Sequence, residues 1–133
     1  MFRRFILISF LFLTFSSFGN DKKSINNYEW TYRLLLINSI EKTTSLDQLL
    51  ENKNTLCPFK DRKLKLIKFH NNESSTYITP SYINNKFGVW LVGYDGGVKY
   101  FTSIEEFNFD DIFIIIDGMP MRQNEMEMNK SDC

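Results

Sequence analysis

The chain has few of the residues that build thiol or metal sites. It contains two cysteines, Cys57 and Cys133, and His70 is its only histidine. Because the cysteines lie far apart, no Cys-x-x-Cys pair is present, which argues against dithiol catalysis. One histidine supplies neither a metal shell nor a catalytic triad. We therefore expect His70 to be a solvated residue at the end of a strand, and we expect the protein to bind no cofactor.

An excess of either charge is also missing. The chain has 16 basic residues (Lys and Arg) and 16 acidic residues (Asp and Glu), so its formal net charge is +0. Nucleic-acid binding requires a basic surface, and this balance gives no reason to expect it. Outside the N-terminus no apolar run is long enough to span a membrane. We therefore predict neither a nucleic-acid partner nor a membrane span in the mature chain.

Residues 1–19 have the three parts of a cleavable signal peptide. Arg3 and Arg4 form a basic start, residues 5–15 an apolar stretch, and Ser17-Phe18-Gly19 a small-x-small cleavage site. The apolar stretch is too short to remain as a membrane helix. We expect cleavage after Gly19 and export to the periplasm or the medium. Loss of the two arginines would leave a formal charge of −2.

The remaining sequence alternates strand and helix patterns. Continuous or interleaved apolar residues predict strands, helical periodicity or capping signals predict helices, and Asp95-Gly96-Gly97 predicts a tight hairpin turn. The predicted strands are 30–38, 62–70, 89–94 and 98–102, and the predicted helices are 45–53, 80–87 and 108–117. The order β-α-β-(α)-β-β-α predicts a single thioredoxin-like α/β domain, with a mixed sheet, a hairpin and a C-terminal helix.

Two segments carry a family resemblance, "LVGYDGGVK" at 91–99 and "IDGMPMRQNEM" at 116–126. They resemble the motifs of the bacterial exported family P-DUDES (domain of unknown function 4174), which is related to domains of animal sushi-repeat-containing extracellular proteins. The matching positions are Gly93, Asp95, Gly96, Gly97, Val98, Lys99, Ile116, Asp117, Met119, Pro120, Met121, Arg122, Glu125 and Met126.

The sequence departs from the family pattern at two positions within these motifs. Tyr94 stands where the family has lysine, and Gly118 where it has alanine. The resemblance implies a thioredoxin-like domain over residues 28–126 with no assigned reaction, followed by a polar tail at 127–133.

Three chemical interpretations of the cysteines and methionines stay open. Cys57, near Lys60 and Arg62, could serve a single-cysteine thiol peroxidase. Cys57 could instead pair with Cys133, as export to an oxidising compartment would allow. Met119, Met121, Met126 and Met128 form two Met-x-Met pairs after the last predicted helix. We expect them to pack against the sheet edge, and Cu(I) binding is the alternative.

The sequence therefore favours an exported, non-catalytic module that binds a protein or a small ligand. One local contact can be predicted at the second motif. Asp117 sits at the end of the 108–117 helix, where the helix dipole disfavours a carboxylate. We expect Gly118 and Pro120 to end this helix, and Arg122 to bind Asp117.

Overall fold

A computed structural model describes residues 19, 21–41 and 44–128, which form a four-stranded mixed sheet. The strands are β1 (Arg33–Ser39), β2 (Leu64–His70), β3 (Gly88–Val92) and β4 (Val98–Thr102), in the order β2-β1-β3-β4. β1 is parallel to β2 and antiparallel to β3, and β3 is antiparallel to β4. The predicted mixed α/β domain with a hairpin is confirmed.

The described helices lie between the strands and at the C-terminal end. They are α1 (Thr44–Leu50), α2 (Cys57–Asp61), α3 (Phe109–Asp117) and α4 (Pro120–Glu127), with 3₁₀ turns at Ile25–Tyr28 and Lys53–Thr55. Within the described ranges, no helix is long and apolar enough to cross a membrane.

The sheet buries a separate apolar cluster on each face, because alternate side chains of a strand point in opposite directions. Leu35 and Ile37 of β1 pack with Ile112 and Ile116 of α3. Leu34 and Leu36 point the other way, into a cluster that the 3₁₀ turn at Ile25–Tyr28 and the connector between β2 and β3 help to cover. The central strand β1 is apolar on both faces for this reason.

β2 lies at one edge of the sheet, as its interleaved lysines predict. Asn54 covers part of that edge, since its side-chain amide accepts a hydrogen bond from Leu66 N (2.7 Å) and donates one to Leu66 O (3.3 Å). An edge strand with satisfied backbone groups is a poor template for pairing with another chain. His70 ends β2 and is exposed, which confirms its predicted position.

The predicted helix at 80–87 is wrong, since this segment forms turns. Asn85 adopts a left-handed backbone (φ 60°), which a helix cannot contain, and its amide donates to Asn72 Oδ1 (2.8 Å). Asn72 is itself bound to the buried Asn38 of β1. Long-range hydrogen bonds thus override the local Thr79-Pro80 start signal, and Gly88 begins β3 rather than ending a helix.

The C-terminal part contains one helix as predicted and one that was not predicted. α3 begins where Asn108 accepts a hydrogen bond from Asp110 N, and Gly118 follows its last residue. Pro120 does not prevent further helix, because it is the first residue of α4, a position that tolerates proline. α4 extends to Glu127, so this residue belongs to a helix, and residues 129–133 of the predicted tail lie outside the described range.

Candidate functional site: a pocket beside a buried arginine

Arg33 is the first residue of β1 and is almost fully buried, with 1% of its surface exposed. It shares a sheet face with Leu35 and Ile37, so its side chain continues their row beyond the apolar cluster. A charged side chain in such a place requires polar partners, because an unpaired buried charge is costly. These partners come from three distant parts of the chain.

The guanidinium of Arg33 is bonded unevenly. Nη1 donates to Arg62 O (2.7 Å), to the Tyr94 hydroxyl (3.1 Å) and to Glu125 Oε2 (3.2 Å). The ring of Tyr94 also lies against it, with 4.1 Å between the ring centroid and Arg33 Cζ. Nη2 is buried and has no hydrogen-bond partner among the residues that the structure describes. Such an atom costs roughly 1–3 kcal/mol, or more when charged, unless something else binds it.

Arg122 of α4, which is 4% exposed, is in contrast bonded through all three of its nitrogens. Nε donates to Asp117 Oδ1 (3.1 Å), which confirms the predicted contact between these residues. Nη1 donates to Asp61 O (2.8 Å) and Nη2 to Asp61 Oδ2 (2.7 Å). Arg122 therefore fixes α4 to the end of α3 and to the end of α2.

Asp117 has a second and shorter arginine contact, which was not predicted. Arg62 donates from Nε to Oδ1 (2.9 Å) and from Nη2 to Oδ2 (2.8 Å), a bidentate pair. Burial on its own would raise the pKa of Asp117, but the hydrogen bonds from Arg62 and Arg122 outweigh it and lower that pKa. Two cations thus compensate the unfavourable position of this carboxylate at a helix end.

Glu125 connects the two arginines. One of its oxygens accepts from Arg33, and lies 3.7 Å from Arg122 Nη1. The other accepts a hydrogen bond from the Tyr94 hydroxyl. Burial, followed by the hydrogen bond to Glu125, raises the pKa of Tyr94, so this hydroxyl keeps its proton at physiological pH. One carboxylate therefore serves two guanidinium groups.

A pocket of about 200 Å³ lies beside this network. It brings together residues from both family motifs and two from the start of the domain. The lining residues are Trp30, Arg33, Gly93, Tyr94, Asp95, Lys99, Met119, Pro120 and Met121. Of the predicted motif positions, six thus line one pocket, and Asp117, Arg122 and Glu125 belong to the ion-pair network.

The hairpin turn supplies one wall of the pocket. Gly96 has φ +78°, and a Cβ there would lie 2.6 Å from the carboxylate of Glu29, so glycine is required. Asp95 accepts from Gly97 N (2.9 Å) and from Lys99 Nζ (2.8 Å). The hydrogen bond from Lys99 has the largest effect on the pKa of Asp95, and together with the one from Gly97 it lowers that pKa. The wall is therefore a rigid turn that carries an internally paired acid and base.

Trp30 also lines the pocket. It is 67% exposed and adopts a left-handed backbone (φ 64°), an uncommon conformation for a bulky residue. Its amide donates to Tyr94 O (2.8 Å), which holds it against the turn. The hydrogen bond thus fixes a large aromatic side chain in solvent at the pocket.

The cysteine and the methionines are dispersed. Cys57 is the exposed first residue of α2 and does not line the pocket, and no cysteine in the described part of the chain is free. Its predicted partner Cys133 lies outside the described residues, so this pairing stays a prediction. Met119 packs on the apolar cluster, whereas Met121, Met126 and Met128 are exposed. The predicted copper site stays untested.

Sequence reasoning missed four residues of the network: Arg33, Asp61, Arg62 in its role as a ligand of Asp117, and Tyr94. One signal was available for Arg33, since a charge opens a strand that is otherwise buried on both faces. Tyr94 was noticed only as a departure from the family motif. The Asp61-Arg62 pair has no local pattern that marks it.

The described residues form a small mixed α/β domain in which a pocket adjoins a network of buried and half-buried ion pairs. Residues 24–125 match the family model of the domain of unknown function DUF4174, so the chain belongs to this family. Searches among curated proteins and among solved structures found no match to the chain.

Proposed function

We propose that the protein is an exported, non-catalytic binding module of thioredoxin-like architecture, and that the pocket beside Arg33 is its binding site. One observation carries the proposal. The two family motifs are separated by β4 and α3, yet six of their residues line the same pocket. A concave site with a few converging polar groups is the usual form of a ligand site.

The lining residues supply binding groups rather than reactive ones. Cysteine, serine and histidine are absent from the nine described residues that line the pocket, so these residues supply no thiol or serine nucleophile and no imidazole base. The lowered pKa of Asp95 makes this carboxylate a weak base. Tyr94 keeps its proton, and its hydroxyl donates a hydrogen bond to Glu125. These features support binding without turnover.

The strand arrangement supports the thioredoxin-like part of the proposal. β1 and β2 run parallel with α1 and α2 between them, and an antiparallel hairpin followed by helix completes the domain. In a redox-active protein of this architecture, a Cys-x-x-Cys pair would follow β1. Residues 39–45 contain no cysteine. No cis peptide bond occurs in the described ranges, so the typical cis-proline beside such a site is not seen there either.

An activity assay tests the non-catalytic part of the proposal. We expect the purified protein to reduce insulin and to consume peroxide no faster than a Cys57→Ser variant or buffer. This variant is the appropriate control, because Cys57 is the cysteine that a peroxidase would use. Robust turnover that disappears in Cys57→Ser would overturn the proposal in favour of a thiol peroxidase.

The export part rests on the charge and hydropathy of residues 1–19. Expression in a bacterium with separation of the cell fractions tests it. We expect the protein in the periplasm or the medium, with Asn20 as its first residue by mass spectrometry. An unprocessed chain that stays in the cytoplasm would contradict export.

A further inference from the structure

We propose that the pocket binds a carboxylate carried on a small apolar body. The carboxylate pairs with Arg33, and the apolar body contacts Trp30 and Met121. This inference deepens the proposed function, on which it rests, by assigning a ligand class to the same pocket. It depends on the bonding of Arg33, on the charges around it and on the chemistry of the walls.

The first argument is the partnerless nitrogen of Arg33. Nη1 has two hydrogens and three acceptors, whereas Nη2 also has two hydrogens and is buried without an acceptor. Buried polar groups in folded proteins nearly always have a partner. The side chain of Arg33 lines the pocket, so an acceptor bound there would meet the guanidinium, and a small rotation of this side chain would bring Nη2 to the acceptor.

The second argument is the distribution of charge. Arg33 has one carboxylate partner, Glu125, which also lies 3.7 Å from Arg122. The charge of Glu125 is therefore divided between two guanidinium groups, and Arg33 keeps an incompletely neutralised charge. Asp61 and Asp117 cannot correct this, since they are bonded to Arg62 and Arg122. The three arginines and three carboxylates of the network balance overall, so an anion in the pocket would supply a second partner for Arg33 and not a missing net charge.

The start of α4 adds a favourable field. Met119, its N-cap residue, makes no side-chain capping hydrogen bond, and Pro120 at the first helical position has no amide hydrogen. Helix N-termini favour anions, since the first amides are unpaired and the helix dipole is positive there. Met119, Pro120 and Met121 all line the pocket, so this helix end lies at the same site as Arg33.

The walls restrict the rest of the ligand. Trp30 and the residues at the start of α4 present ring, thioether and pyrrolidine surfaces. A volume of about 200 Å³ suits a small ligand such as an aromatic ring or a single amino-acid side chain with its acid group. A carboxylate suits an arginine, because both groups are planar and can form paired hydrogen bonds. The acid can be a free small molecule or the C-terminal carboxylate of a peptide with an apolar last residue.

Nuclear magnetic resonance can test this proposal directly on the purified protein. The chain has two tryptophans: Trp30 lines the pocket, and Trp90 is buried in the cluster on the other sheet face. We expect benzoate to shift the indole signal of Trp30, with a Kd of roughly millimolar for so small a ligand, and to leave that of Trp90 unchanged. Benzamide and benzylamine are matched probes with a neutral and a cationic group.

N-acetylleucine and N-acetylleucinamide form the second pair of probes, which represents a peptide end with and without its charge. Binding of benzoate alone assigns the site to free small acids, whereas binding of N-acetylleucine assigns it to peptide C-termini. Either result supports the proposal, provided that the amide binds at least about tenfold more weakly, as expected for loss of a charged hydrogen-bond partner.

Surface variants test the position of the anion without disturbing the buried network. Met121→Glu places a negative charge at the pocket, and we expect it to weaken carboxylate binding at least about tenfold by like-charge repulsion. Met126→Glu is the matched control, since Met126 is similarly exposed on the same helix and does not line the pocket. Asp95→Asn removes a competing carboxylate and is expected to strengthen binding severalfold.

The outcomes separate this inference from the proposed function. Equal binding of acid and amide would overturn carboxylate recognition while leaving the pocket as a binding site. Absence of any Trp30 shift with every probe would overturn the carboxylate inference and leave the absence of turnover unaffected. An equal effect of Met121→Glu and Met126→Glu would also overturn it, because the anion would then bind elsewhere.

Discussion

Arg33 and Arg122 are both nearly inaccessible to solvent, and their surroundings differ in one respect. Each nitrogen of Arg122 has an acceptor, from Asp61 or Asp117, and these contacts join α2, α3 and α4. Arg33 is bonded through Nη1, its Nη2 has no partner among the described residues, and its side chain lines the pocket. The complete set of contacts indicates a structural role for Arg122, and the incomplete set is the reason for the ligand-binding role that we propose for Arg33.

Glu125 links the surroundings of Arg33 to those of Arg122. It accepts from Arg33 and from Tyr94, and approaches Arg122. The contacts of Arg122 therefore hold α4, and the first residues of α4 line the pocket beside Arg33. A change that loosens α4 is expected to alter the pocket as well, whereas a change at the pocket surface need not affect the network.

The largest effect is expected when Arg122 is removed. Arg122→Met leaves Asp61 and Asp117 with fewer partners in a partly buried place, and we expect the free energy of unfolding to fall by about 3 kcal/mol. Urea denaturation measures it. Gln123→Met is the matched control, since Gln123 is the exposed neighbour on α4, and its effect should lie within about 0.5 kcal/mol. A similar small loss for both variants would show that Arg122 does not stabilise the fold.

A pair of lysine substitutions tests the contrast between the two arginines directly. A lysine has one nitrogen with three hydrogens, which can replace Nη1 of Arg33 but not the three bonded nitrogens of Arg122. We expect Arg122→Lys to lower the free energy of unfolding by about 2 kcal/mol and Arg33→Lys by about 1 kcal/mol. Equal losses would mean that the two arginines do not differ in the completeness of their contacts.

The smallest effect concerns acid stability. The pKa of Asp117 is lowered from 3.8 in the folded state. Above pH 3.8 Asp117 is ionised in both the folded and the unfolded state, and its ion pairs contribute fully to the free energy of unfolding. At lower pH the unfolded state takes up a proton first, so this contribution is lost as the pH falls through the folded pKa. Asp117→Asn should therefore lose less stability than the unmodified protein between pH 5 and about pH 2.5.

Urea denaturation across that pH interval measures this difference. Replacement of the exposed Asp21 by asparagine is the control, because Asp21 is not among the partners of the network. If Asp117→Asn and the unmodified protein lose stability equally, the ion pairs of Asp117 do not stabilise the fold.

The elements that were predicted correctly are those with local signals. The β3–β4 turn requires the backbone of Gly96, and α3 begins at the side-chain cap of Asn108. Both signals act within a few residues, so the sequence shows them. The segment 80–87 has an equally clear local signal, but hydrogen bonds to Asn72 and, through it, to Asn38 of β1 hold it in turns. Local rules fail where partners come from distant strands.

In the candidate site, too, the features that were predicted are the local ones, and those that were missed depend on distant parts of the chain. The motif positions from Gly93 to Lys99 and from Asp117 to Glu125 were identified from sequence, together with the contact between Asp117 and Arg122. That contact joins residues five apart, whereas Arg33 meets Glu125 across 92 residues. Proline can either end a helix or occupy its first position, and only the structure shows that Pro120 begins α4.

By itself, the sequence determined the balance of charge, the mixed α/β order, the hairpin, the start of α3 and the family motifs. These depend on composition, periodicity and contacts within a few residues. The tertiary structure decided which charges meet. It placed Arg33 at the end of a buried strand, where the acceptors available to it come from Arg62, Tyr94 and Glu125 and leave Nη2 unbonded. Burial deprives this nitrogen of the water that would otherwise complete its hydrogen bonds, and for this reason we propose a ligand as its partner.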